Sequence, residues 1–338
     1  MMRRRTLPAR GFALAAVLWL LAGLTILAAM ISQSSQTSAE RQKSLRQRAD
    51  AEQDFLSSRS EALYWLSSSI ATTEGFGWGD QLLKVDGRAY GAGEKSTIHI
   101  QDVRGLVDLS HPNRERLTRL LLHCGAQQDQ TDSLLDALED YTDKDDLKRL
   151  NGAEASEYSA AGMAPPRNGA LMTEPEIWKI FGWARLQAAW DEKHCFENIT
   201  VSGDGRFNIG TATADTLEAA GLNAEQTEQL LKERAAGDNS MVNLIEARQQ
   251  AASFMGMIDG RWPARRFRVT HALKDLPWVL RYDLKLTTNA EGSPWEISSP
   301  RRFSATSAII APGRAAWPQM EKISDTDKNV ITRPALPF

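Results

Sequence analysis

A chain of 338 residues, 42% hydrophobic and 25% charged, is long enough for one or two folded domains and too ordinary in composition for a disordered or fibrous protein. Its formal net charge of −3 removes the global basic excess that would recommend nucleic acid or anionic lipid as a partner. Arg3, Arg4, Arg5 and Arg10 form a basic leader that ends at Gly11, and the stretch from Phe12 to Ile31 then carries no charge. Roughly 20 such residues make a helix that crosses a hydrocarbon core about 30 Å thick. The arginines before it predict a cytoplasmic N-terminus, with everything beyond residue 35 across the membrane. A secretory signal peptide is the rival reading, but the apolar run is long for one and the glycine precedes it.

The helical pattern continues past the membrane segment. Leu45, Ala49, Leu56, Leu63, Leu66 and Ile70 recur at a spacing of three to four, which predicts an amphipathic helix that ends at the glycines 75–79. Alternation over Ser96–Val103 reads as a strand, with Leu106–Ser110 as its continuation. From 112 to about 260 the chain reads as mostly helical: Leu117, Leu120 and Leu121 stop at Gly125, and Thr131 stands where a cap precedes Leu134, Leu135, Leu138 and Tyr141. Thr173 with Glu176 and Asn223 with Gln226 both have capping-box spacing. Strand character returns over Arg266–His271 and Trp278–Thr287, and Asn289–Gly292 supplies a turn before Trp295-Glu296-Ile297. The segment 311–338, with four prolines, reads as a mobile tail. This order predicts an α+β fold in which a large α-helical domain, 111–262, interrupts a small fold built from 36–110 and 263–310.

Cys124 and Cys195 each follow a histidine. Outside the cytoplasm a disulfide is permitted and is the first expectation, ahead of free buried thiols. A Cys₂His₂ zinc site comes last, because paired zinc ligands usually need two or more residues between them. Asp140, Asp143, Asp145, Asp146 and Glu154 crowd carboxylates into one short stretch, the kind of oxygen-rich loop that hard cations such as Ca²⁺ require. The stretch lacks an EF-hand frame, and by itself it describes a solvated acidic loop more readily than an ion site. No activated nucleophile stands near it and the five histidines are scattered, so no catalysis is expected.

Four local sequences together resemble a known family. They are the leader with its apolar helix; Val103-Arg104-Gly105-Leu106-Val107-Asp108-Leu109; Leu138–Asp146 followed by Asn151-Gly152-Ala153-Glu154, Tyr158 and Pro165-Pro166-Arg167-Asn168; and Phe207–Ala212 leading into Leu217 and Gly221-Leu222. In this order they resemble the minor pseudopilin K of the type II secretion system, over most of the chain except its last thirty or so residues. The resemblance implies a pilin-like long N-terminal helix on a small antiparallel sheet. It implies a prepilin leader 1–11 cut by prepilin peptidase between Gly11 and Phe12, methylation of the new amine, and a transmembrane half-helix 12–35 in the inner membrane with a periplasmic body. It further implies a structural Ca²⁺ among the five carboxylates, with Asp145, Asp146 and Glu154 named first, and minor pseudopilins I and J, with other pseudopilus subunits, as partners at the pseudopilus tip. Ala16, the fifth residue from Phe12, stands where most pilins carry glutamate. A carboxylate in the bilayer is costly unless paired, so its absence suits a subunit with no neighbour above.

Two other classes compete. Within 203–237, the stretch Phe207–Ala236 resembles a helix-hairpin-helix or SAM-like module, a type that elsewhere binds DNA phosphates through backbone N–H groups. That makes a membrane-anchored DNA receptor the alternative function. Its hairpin reads Gly221-Leu222-Asn223 without a second glycine, and acidic residues there (Asp204, Asp215, Glu218, Glu225, Glu228, Glu233) outnumber basic ones (Arg206, Lys232, Arg234). That balance is the reverse of what phosphate binding needs, so no nucleic-acid partner is expected. A tethered periplasmic hydrolase has only short glycine motifs in its favour.

Overall fold

The computed structural model describes residues 12–77, 79–92, 96–237, 262–273, 276–287, 293–304, 315 and 317. The leader with Gly11, the turn Asn289–Gly292, the segment 238–261 and most of the segment 311–338 lie outside the described residues. The chain divides into two compact units, Met1–Leu56 and Ser57–Phe338.

Helix α1 runs from Phe12 to Ser68, 57 residues that contain no proline and one glycine. Its hydroxyl residues fold back on the helix: Thr25 donates to the Ala22 carbonyl at 2.8 Å, and Ser38 to that of Ser34 at 2.8 Å. This satisfies those hydroxyls without external partners. Leu14 through Ile31 are all exposed, and this part of α1 is long and apolar enough to cross a membrane.

The second unit holds a five-stranded antiparallel sheet and a helical block. Short strands β1 (Gly75–Phe76) and β2 (Leu83–Lys84) pair with each other. The main sheet has the order β3 (Asp86–Ala92), β4 (Ser96–Asp102), β7 (Arg266–Leu273), β8 (Trp278–Leu286) and β9 (Trp295–Ser304). Two more short strands, β5 (Val107–Asp108) and β6 (Ile199–Thr200), form a separate parallel pair. Leu106–Ser110 therefore does not continue β4. A 3-10 turn at Val103–Gly105 redirects the chain, and Asp108 pairs with Thr200 instead.

The two faces of the sheet differ. Ile98, Ile100, Phe267, Val269, Tyr282 and Leu284 are buried on one, and His271 on that face joins Ser58 of α1 at 3.2 Å. The end of α1, with Ala62, Trp65 and Leu66 buried, covers this face. The other face presents Arg268, Arg281 and Arg301, and its partners come from the helical block. Arg268 donates to the carboxylate of Glu174 at 3.0 Å and to the Phe196 carbonyl at 3.1 Å, and Arg301 reaches the second Glu174 oxygen at 3.0 Å. Arg281 is paired with Glu197. Burial alone would raise the Glu174 pKa, but Arg268 and Arg301 more than offset it and hold the carboxyl low.

The helical block comprises α2 (Arg114–His123), α3 (Thr131–Thr142), α4 (Ala155–Ala160), α5 (Gln187–Glu192), α6 (Ala214–Ala219) and α7 (Ala224–Ala236). Its core includes Leu117, Leu138, Tyr158, Trp183 and Trp190. Asn223 and Gln226 form the expected capping box on α7. The other two caps are corrections. Thr131 is the first residue of α3 rather than its cap, following a 3-10 turn at Gln128–Gln130, and its hydroxyl donates to Gln128. Thr173 takes the N-cap position of a 3-10 helix, Glu174–Lys179, but its side chain makes no capping bond, and the Glu176 carboxylate is taken by Arg167, Tyr141 and the Met172 N–H instead of closing a box.

Asp102, the last residue of β4, ties the sheet to three later segments of the chain. It is fully buried and accepts from the Ala264 N–H at 2.8 Å, the Arg104 N–H at 3.1 Å, the Thr211 hydroxyl at 2.8 Å and Asn208 at 3.3 Å. Burial pushes its pKa up to about 6 against these donors. A Cβ on Gly105 would stand 2.4 Å from the Thr211 carbonyl oxygen, so only glycine permits this approach.

Candidate functional site

The acidic loop joins α3 to α4. Asp136, Glu139 and Asp140 project from the last turns of α3, and the chain returns over them through Arg149, Asn151 and Gly152. Arg149 donates to Glu139 at 2.6 Å and to Asp143 at 2.9 Å, while its backbone N–H meets Asp140 at 3.2 Å. Asn151 N–H donates to Asp136 at 3.1 Å. A Cβ on Gly152 would lie 1.9 Å from the Asp140 carboxylate, which explains the glycine. Asp145 accepts from the Leu147 N–H at 2.9 Å and Asp146 from the Asn168 side chain at 2.9 Å.

The five sequence-predicted carboxylates are thus brought to one loop, and Arg149 answers only part of their charge. Both carboxylate oxygens of Glu154, Asp143 Oδ1 and Asn168 Oδ1 are buried and accept no hydrogen bond. Buried acceptors without donors are rare, and each calls for an explanation. Glu154 is 5% exposed. Burial, then repulsion from Asp140, Asp143, Asp146 and Asp145, pushes its pKa up to about 6. Burial likewise raises Asp140 and Asp143. Hard cations bind such oxygens, including the amide oxygen that Asn168 offers. Among the described residues no three His, Cys, Asp or Glu side chains already converge into a metal cluster. The donor set therefore fits a calcium ion in chemistry, as orphaned oxygens in excess negative charge, rather than as a closed cage. Asn168 enters the sequence pattern only as part of a motif; its place beside Asp146 gives that motif a physical meaning.

Cys124, at the end of α2, and Cys195, opening a 3-10 turn at Cys195–Asn198, are joined in a disulfide. The bond replaces the free-thiol and zinc alternatives, because neither sulfur is left for a metal. Phe12 is the first residue of α1, while Gly11 lies outside the described residues.

The hairpin between α6 and α7 spends its backbone donors on itself. Gly221 N–H bonds to Glu218, Leu222 N–H to Leu217, and Asn223 N–H to the Gln226 side chain at 3.0 Å. The Arg119 guanidinium packs against Gly221 and donates to the Ala219 carbonyl at 3.1 Å. A phosphate would find none of these three N–H groups free.

Residues 101–188, from the end of β4 through the acidic loop to the start of α5, match the family model for type II secretion system protein K. In that segment, about a quarter of the chain, the protein is similar to type II secretion system protein K. No curated protein matches the chain. Among solved structures, a chain of the GspK-GspI-GspJ complex from the enterotoxigenic Escherichia coli type 2 secretion system is similar at 15% identity. Its TM-score is 0.49, with 80% of this chain and 99% of that chain covered.

Proposed function

We propose that this protein is a non-enzymatic minor pseudopilin that caps a type II secretion pseudopilus together with minor pseudopilins I and J, supporting protein export. The observation that carries the reading is the union in one chain of a protein K segment with the 57-residue α1, apolar and exposed over its first half. Phe12–Ile31 then holds the chain in the inner membrane. Arg3, Arg4, Arg5 and Arg10 keep the leader cytoplasmic, and the body lies in the periplasm, where a disulfide persists. Prepilin peptidase removes residues 1–11 and Phe12 is methylated. The helical block between β4 and β7 adds bulk to one side of the pilin-like body, which suits the end of a filament better than its packed shaft. N-terminal sequencing and intact mass of membrane-extracted protein test this. A start at methylated Phe12 only when prepilin peptidase is present is expected; a start at Met1 or beyond residue 30 would reject the pseudopilin class. Absence of binding between the purified protein and the I and J subunits would reject the tip assignment alone.

The acidic loop holds a structural calcium ion in this reading, with Asp140, Asp143, Asp145, Asp146 and Glu154 as its donors. The ion would supply positive charge to these carboxylates, of which both Glu154 oxygens and Asp143 Oδ1 meet no hydrogen-bond donor; the chain supplies the loop geometry through Gly152, Asn151 and Arg149. At calcium some 100-fold above its Kd the fold gains about 2.7 kcal/mol by mass action, a rise in Tm of roughly 5 °C or more. EDTA reverses it. Glu154→Gln, which removes one buried charge and its repulsions, abolishes the calcium effect without lowering Tm in EDTA. An unchanged melting curve with calcium would remove the ion from the account.

A further inference from the structure

The main sheet has two edges, and they are treated differently. β9 discourages strand pairing: Ser299 has φ +56°, its pairing with β8 shifts register between Arg281 and Asp283, and Pro300 has no N–H to offer. β3 carries a register shift as well, between Asp86 and Ala89 at Gly87, but beyond it the pairing with β4 runs unbroken from Ala89 to Ala92 and no proline interrupts it. Its sequence, Asp86-Gly87-Arg88-Ala89-Tyr90-Gly91-Ala92, carries two glycines, and the backbone groups of Ala89 and Gly91 that face away from β4 are ready for a further strand.

That edge is taken by a short piece of the C-terminal segment. The Ala315 N–H donates to the Ala89 carbonyl at 2.8 Å, and the Gly91 N–H donates to the Ala315 carbonyl at 3.4 Å. Together they make a parallel bridge centred on Tyr90, in a sheet whose strand pairs are all antiparallel. Two residues on, the Trp317 indole N–H donates to the Gly91 carbonyl at 2.6 Å, and its ring stacks on Tyr90 with centroids 5.1 Å apart and planes 27° apart. Tyr90 is a fixed platform: it is 2% exposed and its hydroxyl donates to the Lys84 carbonyl at 2.9 Å.

We propose that the outer edge of β3, with the Tyr90 ring, is a strand-addition site for an extended segment bearing a small residue and an aromatic two positions later, and that Ala315 and Trp317 of this chain are its resident occupants. Main-chain bonds supply affinity that is indifferent to sequence, and the aromatic stack supplies selectivity, the division of labour seen wherever a peptide joins a sheet edge. Three hydrogen bonds and one stack are individually modest, so the occupant is exchangeable. The inference stands independently of the pseudopilin reading, because it uses no residue of the acidic loop or of the apolar half of α1.

Hydrogen exchange on the full-length protein, resolved to the Gly91 amide, tests it. Trp317→Ala removes the stack and Ala315→Pro removes the donor to Ala89; in each, Gly91 exchanges at least tenfold faster while residues 98–101 and 267–270 at the sheet centre keep their wild-type rates. A synthetic peptide of residues 311–321, added to the Trp317→Ala protein, restores slow exchange at Gly91, and the same peptide with its tryptophan replaced by alanine does not. Unchanged exchange at Gly91 in both variants overturns the proposal. So does acceleration spread equally over the sheet centre, or equal rescue by the two peptides.

Discussion

Arg268→Ala destabilises the body by about 3–5 kcal/mol, the range found when one partner of a buried ion pair is removed. Arg268 is 3% exposed and stands on β7, yet every partner it has on its polar face comes from the helical block: Glu174, and the carbonyls of Phe196, Glu197 and Ile199. Truncation leaves those carbonyls buried without a donor. It also leaves Glu174 dependent on Arg301 alone, whose side chain is partly exposed. The loss should therefore fall on the junction between block and sheet. Urea unfolding is expected to show the lower midpoint, and limited proteolysis to reach the chain between 107 and 236 first. Replacing both partners, Arg268→Met with Glu174→Leu, costs less than Arg268→Ala, since the Glu174 charge is no longer left in the junction, although the three carbonyls still lose their donor. Equal losses in the single and the double variant would mean that packing, rather than the ion pair, joins the two parts.

The same junction shows where sequence reasoning stops. The strand containing Arg268 is visible in its alternation, and so are β4 and β8, because each has one apolar face. The long α1 is visible in its charge-free run and its freedom from proline. What alternation cannot show is that the polar face of the sheet is also buried: Glu174 lies 94 residues from Arg268 in sequence. β3 escapes a pattern search because its glycines break the alternation; Gly87 has φ +79° and carries a register shift between Asp86 and Ala89. The helix that the Thr173–Glu176 spacing suggested resolves into two 3-10 turns and the short α5, with Gly182 at φ +81° between the turns. Glu176, the residue that suggested a cap there, is drawn to Arg167 instead. The acidic loop was legible as composition, whereas its orphaned oxygens on Glu154, Asp143 and Asn168 exist only once α3 and α4 are packed. Two of the four family motifs gain a cause in the fold: the Asn208 N–H of one donates to the Arg104 carbonyl of the other, and Asn208 and Thr211 side chains donate to Asp102 just before it.

Removing the disulfide, by Cys124→Ala with Cys195→Ala, lowers stability by about 4 kcal/mol, because its two sulfurs lie 71 residues apart in sequence and the bond shortens the unfolded chain by that loop. The loop it closes contains α3, the acidic loop, α4 and α5, the part of the body with the fewest strands to hold it. Both cysteines are fully buried, and Phe196 beside Cys195 packs edge-on against Trp178 and Trp190, at 5.4 and 5.7 Å. Alanine keeps that surrounding apolar, so the change isolates the covalent link from the packing. Thermal melting should fall by roughly 10 °C in the double variant, and wild-type protein made in a reducing cytoplasm should melt near the variant rather than near periplasmic material. Dithiothreitol should act on native protein only as fast as the region opens, since no sulfur is reachable from solvent. If oxidised, reduced and doubly substituted proteins all melt together, the link contributes nothing to the fold, and the compartment loses its hold on the stability of the helical block.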